Sequence, residues 1–227
     1  MTFEGFGTTT TFLKDLGRHN SKEWFHDHYD DYQEQLLEPA MAFVEAIGPL
    51  LRRFAPDTQA VPKIGASVMR INRDIRFAKD KRPYKDHLDL WFWRGGEKKG
   101  PNGYWFRLTP QTLVLGGGMH MLDKPDLKRY REAVDDAGTG TDLARVVTKL
   151  ERAGYDIGGE RYKRVPSGYP SDHPRAALLR RDGVYAGRDL PLPPEATTFE
   201  VPLVLRGAVP EGHAARRLAR RRVRLTG

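Results

Sequence analysis

Cysteine is absent from the chain. Its absence excludes disulfide bonds, a thiolate nucleophile, and any zinc or iron–sulfur centre that depends on cysteine ligands. Long apolar runs are absent too, since no stretch approaches the roughly eighteen apolar residues of a membrane-spanning helix. Residues 1–17 include Glu4 and several threonines, where a secretory signal needs a cationic start and an unbroken apolar core. We therefore expect a cytoplasmic protein that has no membrane partner.

Acidic residues are few in two segments, and this shortage sets the net charge of +8. Residues 70–85, RINRDIRFAKDKRPYK, carry seven cationic side chains and two carboxylates, and we call this segment the basic loop. The chain after Glu211 adds six arginines and no acid, so the remaining residues together carry a net charge of −3. Because the basicity is local, the composition argues against a protein that coats nucleic acid along its whole surface.

Apolar periodicity indicates helices at the start of the chain and strands in the middle. Helical spacing runs through three groups of residues: Phe12, Leu13 and Leu16; Trp24, Phe25 and Tyr32; and Phe43, Val44, Ile47 and Leu51. We expect Asn20 and Glu23 to cap the second helix, and Pro39 to end or kink it and to begin the third. Alternation with period two predicts strands over residues 66–72, 87–94, 104–109 and 112–117, the last two as a hairpin.

Helical spacing returns in the second half of the chain. It covers residues 127–134 and 143–150, and Gly154 is expected to terminate the second of these helices. Asp172 predicts the cap of a further short helix. Residues 199–205 alternate like a strand, and the proline within them restricts this strand to the edge of a sheet.

Strands bracketed by helices indicate an α+β fold. We expect a mostly antiparallel sheet of four or more strands, flanked by N-terminal, middle and short C-terminal helices. The length of 227 residues is sufficient for one sizeable core. The sequence therefore predicts a single α+β domain over residues 1–210 and a basic C-terminal helix or tail over residues 211–227.

The basic loop has the residue types of an anion-binding site. Its first residues extend a predicted strand, and the rest has the Asp, Lys and Pro content of a loop between two strands. Arginine offers a rigid fork of donors that fits carboxylate or phosphate oxygens in pairs, and lysine adds a compact point charge. Packing like charges together costs Coulomb energy unless an anion or paired acids lie among them. We assign anion binding to Arg70, Arg73, Arg76, Lys81 and Lys85.

Side chains for proton transfer and ring stacking accompany these cations. We assign proton transfer to Asp74 or His120, with Tyr84 donating a hydrogen bond to the ligand. Tryptophans at alternating positions of one predicted strand, with another on the next strand, offer flat faces to an aromatic ligand. We assign ring stacking to Trp91, Trp93 and Trp105. The sequence therefore predicts a protein that acts on a small anionic metabolite, with or without an aromatic ring. It is either a ligand-binding protein or an enzyme that transforms the metabolite without a metal or nucleotide cofactor.

Two other interpretations of the basic loop stay open. In the first, Asp74 and Asp80 pair with the arginines to fix an irregular loop, Phe77 and Tyr84 enter the core, and the tryptophans fill space between sheet and helices. In the second, the loop and the arginine-rich tail bind nucleic acid or another polyanion, through contacts that weaken steeply with salt. Removal of the tail separates the two functions, because only polyanion binding depends on it. The oligomeric state is not fixed by the sequence.

Two further patterns favour a structural role over chemistry. Gly116, Gly117 and Gly118 end a predicted strand without the GxGxxG spacing of a phosphate-binding turn, and this favours close backbone approach. His26 and His28 are two residues apart on a predicted helix and therefore point to different sides. We accordingly predict no metal site.

The basic loop also carries a resemblance to a known family. The segment RINRDIRFAKDKRPYK is preceded by Trp24 and Phe25 and followed by residues 116–120 and 163–169. Together these segments are similar to the signature of a widespread microbial family, a conserved domain of unknown function. The resemblance implies a common α+β fold, and it brings no established activity with it.

The similarity covers most of the chain. It runs from Phe6 to beyond Pro191, and its central motif is long enough to be specific. Where the family often has a small polar pair after the last lysine of the motif, this chain has Asp86 and His87. The rim of any shared pocket therefore differs at these two positions.

Overall fold

The computed structural model of this protein describes residues 3–96 and 100–192. The edge strand predicted over residues 199–205 and the basic tail predicted over residues 211–227 lie outside these ranges. The described chain contains both helices and antiparallel strands, which confirms the predicted α+β fold class. No helix within the two ranges is long and apolar enough to cross a membrane.

The described chain divides into two compact units. The first contains residues 3–115 and 189–192, and the second contains residues 116–188. The helices are α1 (Gly7–Arg18), α2 (Lys22–Asp27), α3 (Tyr29–Asp31), α4 (Glu38–Phe54), α5 (Lys124–Asp135), α6 (Ala137–Arg152) and α7 (Ala176–Leu179). The strands are β1 (Thr58–Gln59), β2 (Leu88–Arg94), β3 (Asn102–Leu108), β4 (Thr112–Met119), β5 (Asp156–Glu160) and β6 (Arg181–Pro191). The single domain expected from the sequence stays a prediction.

The N-terminal cap of α2 is Ser21, and not Asn20 as the sequence predicts. The Ser21 hydroxyl accepts a hydrogen bond from the backbone N–H of Trp24 at 3.1 Å. Asn20 instead uses both ends of its amide on the backbone of Tyr84, which is 64 residues away in the chain. The prediction failed because the Asn20 side chain binds the distant Tyr84 backbone, whereas the local spacing had assigned it to the end of α2.

Pro39 lies in the first turn of α4, as predicted, but the chain reaches it without a break. The segment Tyr32–Leu37 is π-helical and leads directly into α4. A proline has no N–H and cannot donate to the carbonyl four residues earlier, which is that of Gln35. The hydroxyl of Thr9 donates to this carbonyl at 2.6 Å. Thr9 is fully buried, so this bond joins α1 to the π-helical segment inside the core.

The first unit contains β1, β2, β3 and residues 112–115 of β4, which are neighbours in this order in the sheet. β2 pairs antiparallel with both β1 and β3. Leu88, Leu90 and Phe92 of β2 alternate toward one face of the sheet, where they are buried in the same core as Phe6 and Phe43 of the helical segment. The strands predicted over residues 87–94, 104–109 and 112–117 are thereby confirmed.

The strand predicted over residues 66–72 is not formed. Its links to β2 are two backbone hydrogen bonds, from Met69 to the Asp89 carbonyl at 3.0 Å and from Trp91 to the Ser67 carbonyl at 2.9 Å. Beyond these bonds the chain leaves β2, and Asn72 pairs with Tyr84. The residues that follow fold back on themselves, so the alternation of the sequence is not extended into a ladder.

The second unit packs α5 and α6 around a small core. This core contains Tyr130, Val134, Leu143, Val147 and Leu179, which confirms the helices predicted over residues 127–134 and 143–150. β6 lies between β4 and β5 in the sheet, and β5 pairs with β6 antiparallel. The sequence did not predict β5 or β6, because the glycines within them interrupt the apolar alternation.

Gly118 in the second unit confirms the predicted close approach of two backbones. Its φ is +143°, and a Cβ at this position would lie 2.5 Å from the Val184 carbonyl oxygen. The prediction of Asp172 as a helix cap is wrong, since α7 begins at Ala176. The buried His173 accepts a hydrogen bond from the backbone N–H of Arg175 through Nδ1 at 3.0 Å.

Candidate anion-binding loop

The base of the basic loop is held by backbone pairing within the loop and by the side chains of Asn20 and Phe25. Asn72 and Tyr84 pair as an antiparallel bridge, flanked by hydrogen bonds from Arg73 to the Pro83 carbonyl and from Lys85 to the Ile71 carbonyl, both 2.9 Å long. The Asn20 side chain bonds both the N–H and the carbonyl of Tyr84 at 3.0 Å. The Phe25 ring stacks on the Tyr84 ring with their centroids 4.1 Å apart. Two parts of the family-like signature therefore meet at the base of the loop.

Two turns of the same construction shape the loop itself. In each, an aspartate accepts hydrogen bonds from the backbone N–H and the guanidinium of the arginine two residues later. Asp74 binds Arg76 in this way, with a closest oxygen–nitrogen distance of 2.7 Å. Asp80 binds Arg82, with Nε 2.9 Å from Oδ2. An Asp-X-Arg spacing that occurs twice in nine positions was the available signal, and we call these the Asp-X-Arg turns.

The other cations of the loop have different surroundings. Arg73 donates to the Asp80 carboxylate at 2.9 Å and to the Arg82 carbonyl at 3.0 Å, and its side chain is 26% exposed. Lys81 donates to the Ile75 carbonyl at 3.0 Å. Arg70 and Lys79 are exposed, and within the described chain they form no hydrogen bond or ion pair. The structural interpretation is thus met for Arg73 and Arg76, which pair with Asp80 and Asp74, but not for Arg70. Anion binding by these side chains stays a prediction.

Phe77 lies between the two Asp-X-Arg turns and is 95% exposed. The expectation that it enters the core, which belonged to the structural interpretation, is therefore wrong, whereas Tyr84 is buried as that interpretation expected. The guanidinium carbon of Arg76 lies 5.9 Å from the centre of the Phe77 ring. The Asp-X-Arg turns on both sides hold the backbone of the loop through hydrogen bonds. The conformation of the loop therefore does not depend on burial of the Phe77 ring.

Lys85 belongs to an ion-pair network around Asp89 of β2. The Asp89 carboxylate lies 3.1 Å from Lys85 Nζ, 3.3 Å from His87 Nε2 and 2.6 Å from Arg107 Nε. Burial acts to raise the pKa of Asp89, but hydrogen bonds from His87 and Arg107 and their charges outweigh it and hold this pKa well below its usual value. Asp89 and Arg107 were not predicted as part of the site, although both lie on strands that the sequence predicts.

The tryptophans lie on the sheet face opposite the core of the first unit. Trp91 of β2 is the direct cross-strand partner of Trp105 of β3, and both are half-buried. The Trp91 ring extends over Gly103, where a Cβ would lie 2.7 Å from the indole. Trp93 is only 6% exposed. The structure therefore pairs Trp91 with Trp105 as predicted neighbours and buries Trp93.

The two candidates for proton transfer, Asp74 and His120, and the candidate hydrogen-bond donor, Tyr84, have unlike positions. Hydrogen bonds from the side chain and backbone of Arg76 lower the pKa of Asp74, so this carboxylate is ionised at neutral pH and is a weak base. Burial raises the pKa of Tyr84. His120 is exposed and belongs to the second unit, where its ring lies 6.2 Å from that of Tyr185. The described residues contain no group of three His, Asp or Glu side chains arranged to hold a metal ion.

Comparisons with known proteins place these features in a family context. No curated protein and no solved structure matches the chain significantly. A family model described as a conserved hypothetical protein, DUF2461, matches residues 8–198, which include the basic loop and the Trp24–Phe25 pair. The chain belongs to this family of conserved hypothetical proteins.

Proposed function

We propose that this protein binds a small anionic molecule at the basic loop and acts in the cytoplasm. The observation that supports the proposal is the charge of the loop, seven cations against two carboxylates, of which both carboxylates already serve the Asp-X-Arg turns. Arg82 and Lys85 also pair with Asp86 and Asp89, which lie beyond the loop. The cations that remain in excess attract an anion, because their mutual repulsion falls when the anion is bound.

Arg70 and Arg73 are the residues that we propose to contact the anion first. Arg70 is exposed and has no ion-pair partner in the described chain. Arg73 shares the Asp80 carboxylate with Arg82, so it keeps donors for a second acceptor. Arg76, Lys81 and Lys85 add positive charge while their own hydrogen bonds hold the loop. A carboxylate or phosphate is the chemistry that such guanidinium groups bind in pairs.

Binding is tested by isothermal titration of the full chain with benzoate and with phenyl phosphate, two small anions that each carry a flat ring. We expect binding that weakens about tenfold in Arg70→Gln and in Arg73→Gln, since a charge-assisted hydrogen bond contributes about 1.5 kcal/mol or more. Arg18→Gln is the matched control, because Arg18 is an exposed arginine of α1 that pairs with Asp15 and lies outside the basic loop. Equal affinity in all of these variants contradicts the proposal.

Chemical transformation of the ligand without a metal or nucleotide cofactor is the second part of the proposal. Asp74 is the candidate base within the loop, and Tyr84 is the candidate donor. Asp74→Asn keeps the size of the side chain and removes its charge, so turnover of a bound ligand is expected to fall while its binding persists. Loss of binding and turnover together assigns Asp74 to the turn with Arg76 alone.

A second candidate function, binding of nucleic acid, is favoured by one observation. Phe77 is 95% exposed beside Arg76, and exposed aromatic rings next to cations stack on the bases of single strands. Fluorescence anisotropy with a labelled single-stranded oligonucleotide tests this function. It predicts tight binding at low salt that is lost in Phe77→Ala and after truncation at residue 210. If neither change alters the anisotropy, the second candidate is rejected.

A further inference from the structure

A cleft of about 320 Å³ lies within the second unit, and its walls come from α5 and from the segment between β5 and α7. We call it the α5 cleft. The lining residues are Lys124, Leu127, Lys128, Arg131, Ser167 and Tyr169. Three of the six are cationic and none is acidic. Two of them, Ser167 and Tyr169, belong to the family-like segment over residues 163–169.

The spacing of α5 brings the three cations to one side of the helix. Lys124, Lys128 and Arg131 follow one another at four and three residues, which places them along a single helical stripe. Two acids lie near this stripe: Glu132, whose carboxylate lies 3.9 Å from Lys128 Nζ, and Asp135, which follows Arg131 by four residues and lies 3.1 Å from His173 Nε2. Two carboxylates against three cations leave the stripe with a net charge of +1.

Arg131 is held in place but is incompletely satisfied. Its guanidinium carbon lies 5.0 Å from the centre of the Tyr162 ring, in a cation–π contact. Its Nε is buried and has no hydrogen-bond partner among the described residues. Arg131 also lines the cleft, so the terminal N–H groups of its guanidinium are the donors that it offers to a ligand oxygen.

The opposite wall supplies a hydroxyl donor beside an aromatic ring. Burial raises the pKa of Tyr169, and the charges of Asp135 and Glu132 raise it further, so its hydroxyl is protonated at neutral pH. Ser167 is exposed at the mouth of the cleft. Leu127 and the Tyr169 ring provide apolar surface for an organic group.

We propose that the α5 cleft binds a phosphate monoester. A phosphate dianion neutralises the excess charge of the stripe and accepts several hydrogen bonds, and arginine binds phosphate through paired donors. A single carboxylate has one oxygen fewer for the donors of Arg131, Lys128 and Tyr169. The inference concerns the second unit and does not rest on the function proposed for the basic loop.

The test is a titration of the isotope-labelled full chain with phenyl phosphate, followed by backbone amide signals in two-dimensional NMR. The amides of Ser167 and Tyr169 are expected to shift with saturation. The dissociation constant is expected to rise at least about tenfold in Arg131→Gln and in Lys128→Gln, because each removes a charge-assisted contact. Arg129→Gln is the matched control on the same helix, since Arg129 pairs with Asp126 and does not line the cleft. It is expected to bind as the unchanged protein does.

Three outcomes overturn the inference. The first is the absence of saturable shifts at Ser167 and Tyr169, including the case in which shifts occur only over residues 70–85, which supports the basic loop alone. The second is equal weakening in Arg129→Gln, which indicates general attraction to positive charge. The third is tighter binding of benzoate than of phenyl phosphate at the same amides. Lys128 is exposed, so Lys128→Gln tests the site even if Arg131→Gln fails to fold.

Discussion

At the scale of single residues, two aspartates determine the shape of the basic loop. Asp80 accepts hydrogen bonds from the backbone and side chain of Arg82 and from the side chain of Arg73. The bonds from Arg82, aided by Arg73, lower the pKa of Asp80 from its usual 3.8 to about 2. Because the folded state binds the proton less tightly than the unfolded state, the carboxylate stabilises the fold when it is ionised.

The lowered pKa of Asp80 gives a prediction for the stability of the fold in acid. The stabilisation by Asp80 is fully present above its unfolded-state pKa of 3.8 and is lost as the pH falls toward about 2. Asp80→Asn removes the titrating group, so the difference in free energy of unfolding between the unchanged protein and this variant is expected to shrink over that interval. Urea unfolding at a series of pH values measures the difference. A difference that is constant from pH 5 to below pH 2 contradicts the prediction.

Tyr130 is the residue for which a hydroxyl matters to the second core. Its hydroxyl donates to the Leu178 carbonyl at 2.9 Å, and the whole pair is buried. Tyr130→Phe removes this buried hydrogen bond and is expected to lower the free energy of unfolding by about 1–2 kcal/mol. Tyr29→Phe, at a side chain that is half exposed, is expected to change it by less than about 0.5 kcal/mol. Equal effects measured by urea unfolding contradict the role given to the buried hydroxyl.

At the scale of elements, the basic loop depends on a residue outside it. Asn20 provides two hydrogen bonds to Tyr84, and Ser21 next to it caps α2. Asn20→Ala is expected to accelerate hydrogen exchange at the Tyr84 amide, whereas Ser21→Ala is expected to accelerate it at the Trp24 amide. Asn20→Ala removes the acceptor of the Tyr84 N–H, and Ser21→Ala removes the acceptor of the Trp24 N–H. Exchange at Tyr84 that is unaltered in Asn20→Ala rejects this account of the base of the loop.

Elements with strong periodicity were predictable from the sequence, and elements held by side-chain bonds were not. The alternation of Leu88, Leu90 and Phe92 predicts β2, because one face of that strand is buried. Residues 66–72 alternate as well, but their pairing with β2 stops after two hydrogen bonds. The pairing with β2 ends where Asn72 pairs with Tyr84 instead. No local pattern in the sequence predicts this partner.

The candidate site was predictable in its location and less so in its contacts. The charge of residues 70–85 identifies the basic loop without any structure. The assignment of Asp74 to Arg76 and of Asp80 to Arg82 depends on backbone turns, whose geometry the composition does not contain. The α5 cleft was missed because its two walls are more than thirty residues apart in sequence.

At the scale of the whole molecule, the tryptophans are unevenly distributed between the two compact units. Trp24, Trp91, Trp93 and Trp105 are the four tryptophans of the chain, and all belong to the first unit. The helices of both units contribute to circular dichroism. Tryptophan emission therefore follows the first unit alone, whereas circular dichroism follows both.

This distribution makes the predicted single domain testable. β4 runs through the boundary between the units at residues 115 and 116, so loss of either unit removes part of a shared strand. We expect urea unfolding curves recorded by tryptophan emission and by circular dichroism to have the same midpoint. A circular dichroism curve with a second transition, absent from the emission curve, shows instead two units that unfold independently.

Phe77 offers a practical opportunity. Its ring is surrounded by water on almost every side while the turns next to it keep its backbone in a defined conformation. A fluorine atom on this ring introduces a magnetic label that leaves the interior packing untouched. The NMR signal of the fluorine responds to any molecule that binds against the Phe77 ring. Unknown partners can therefore be screened without a prior assumption about their identity.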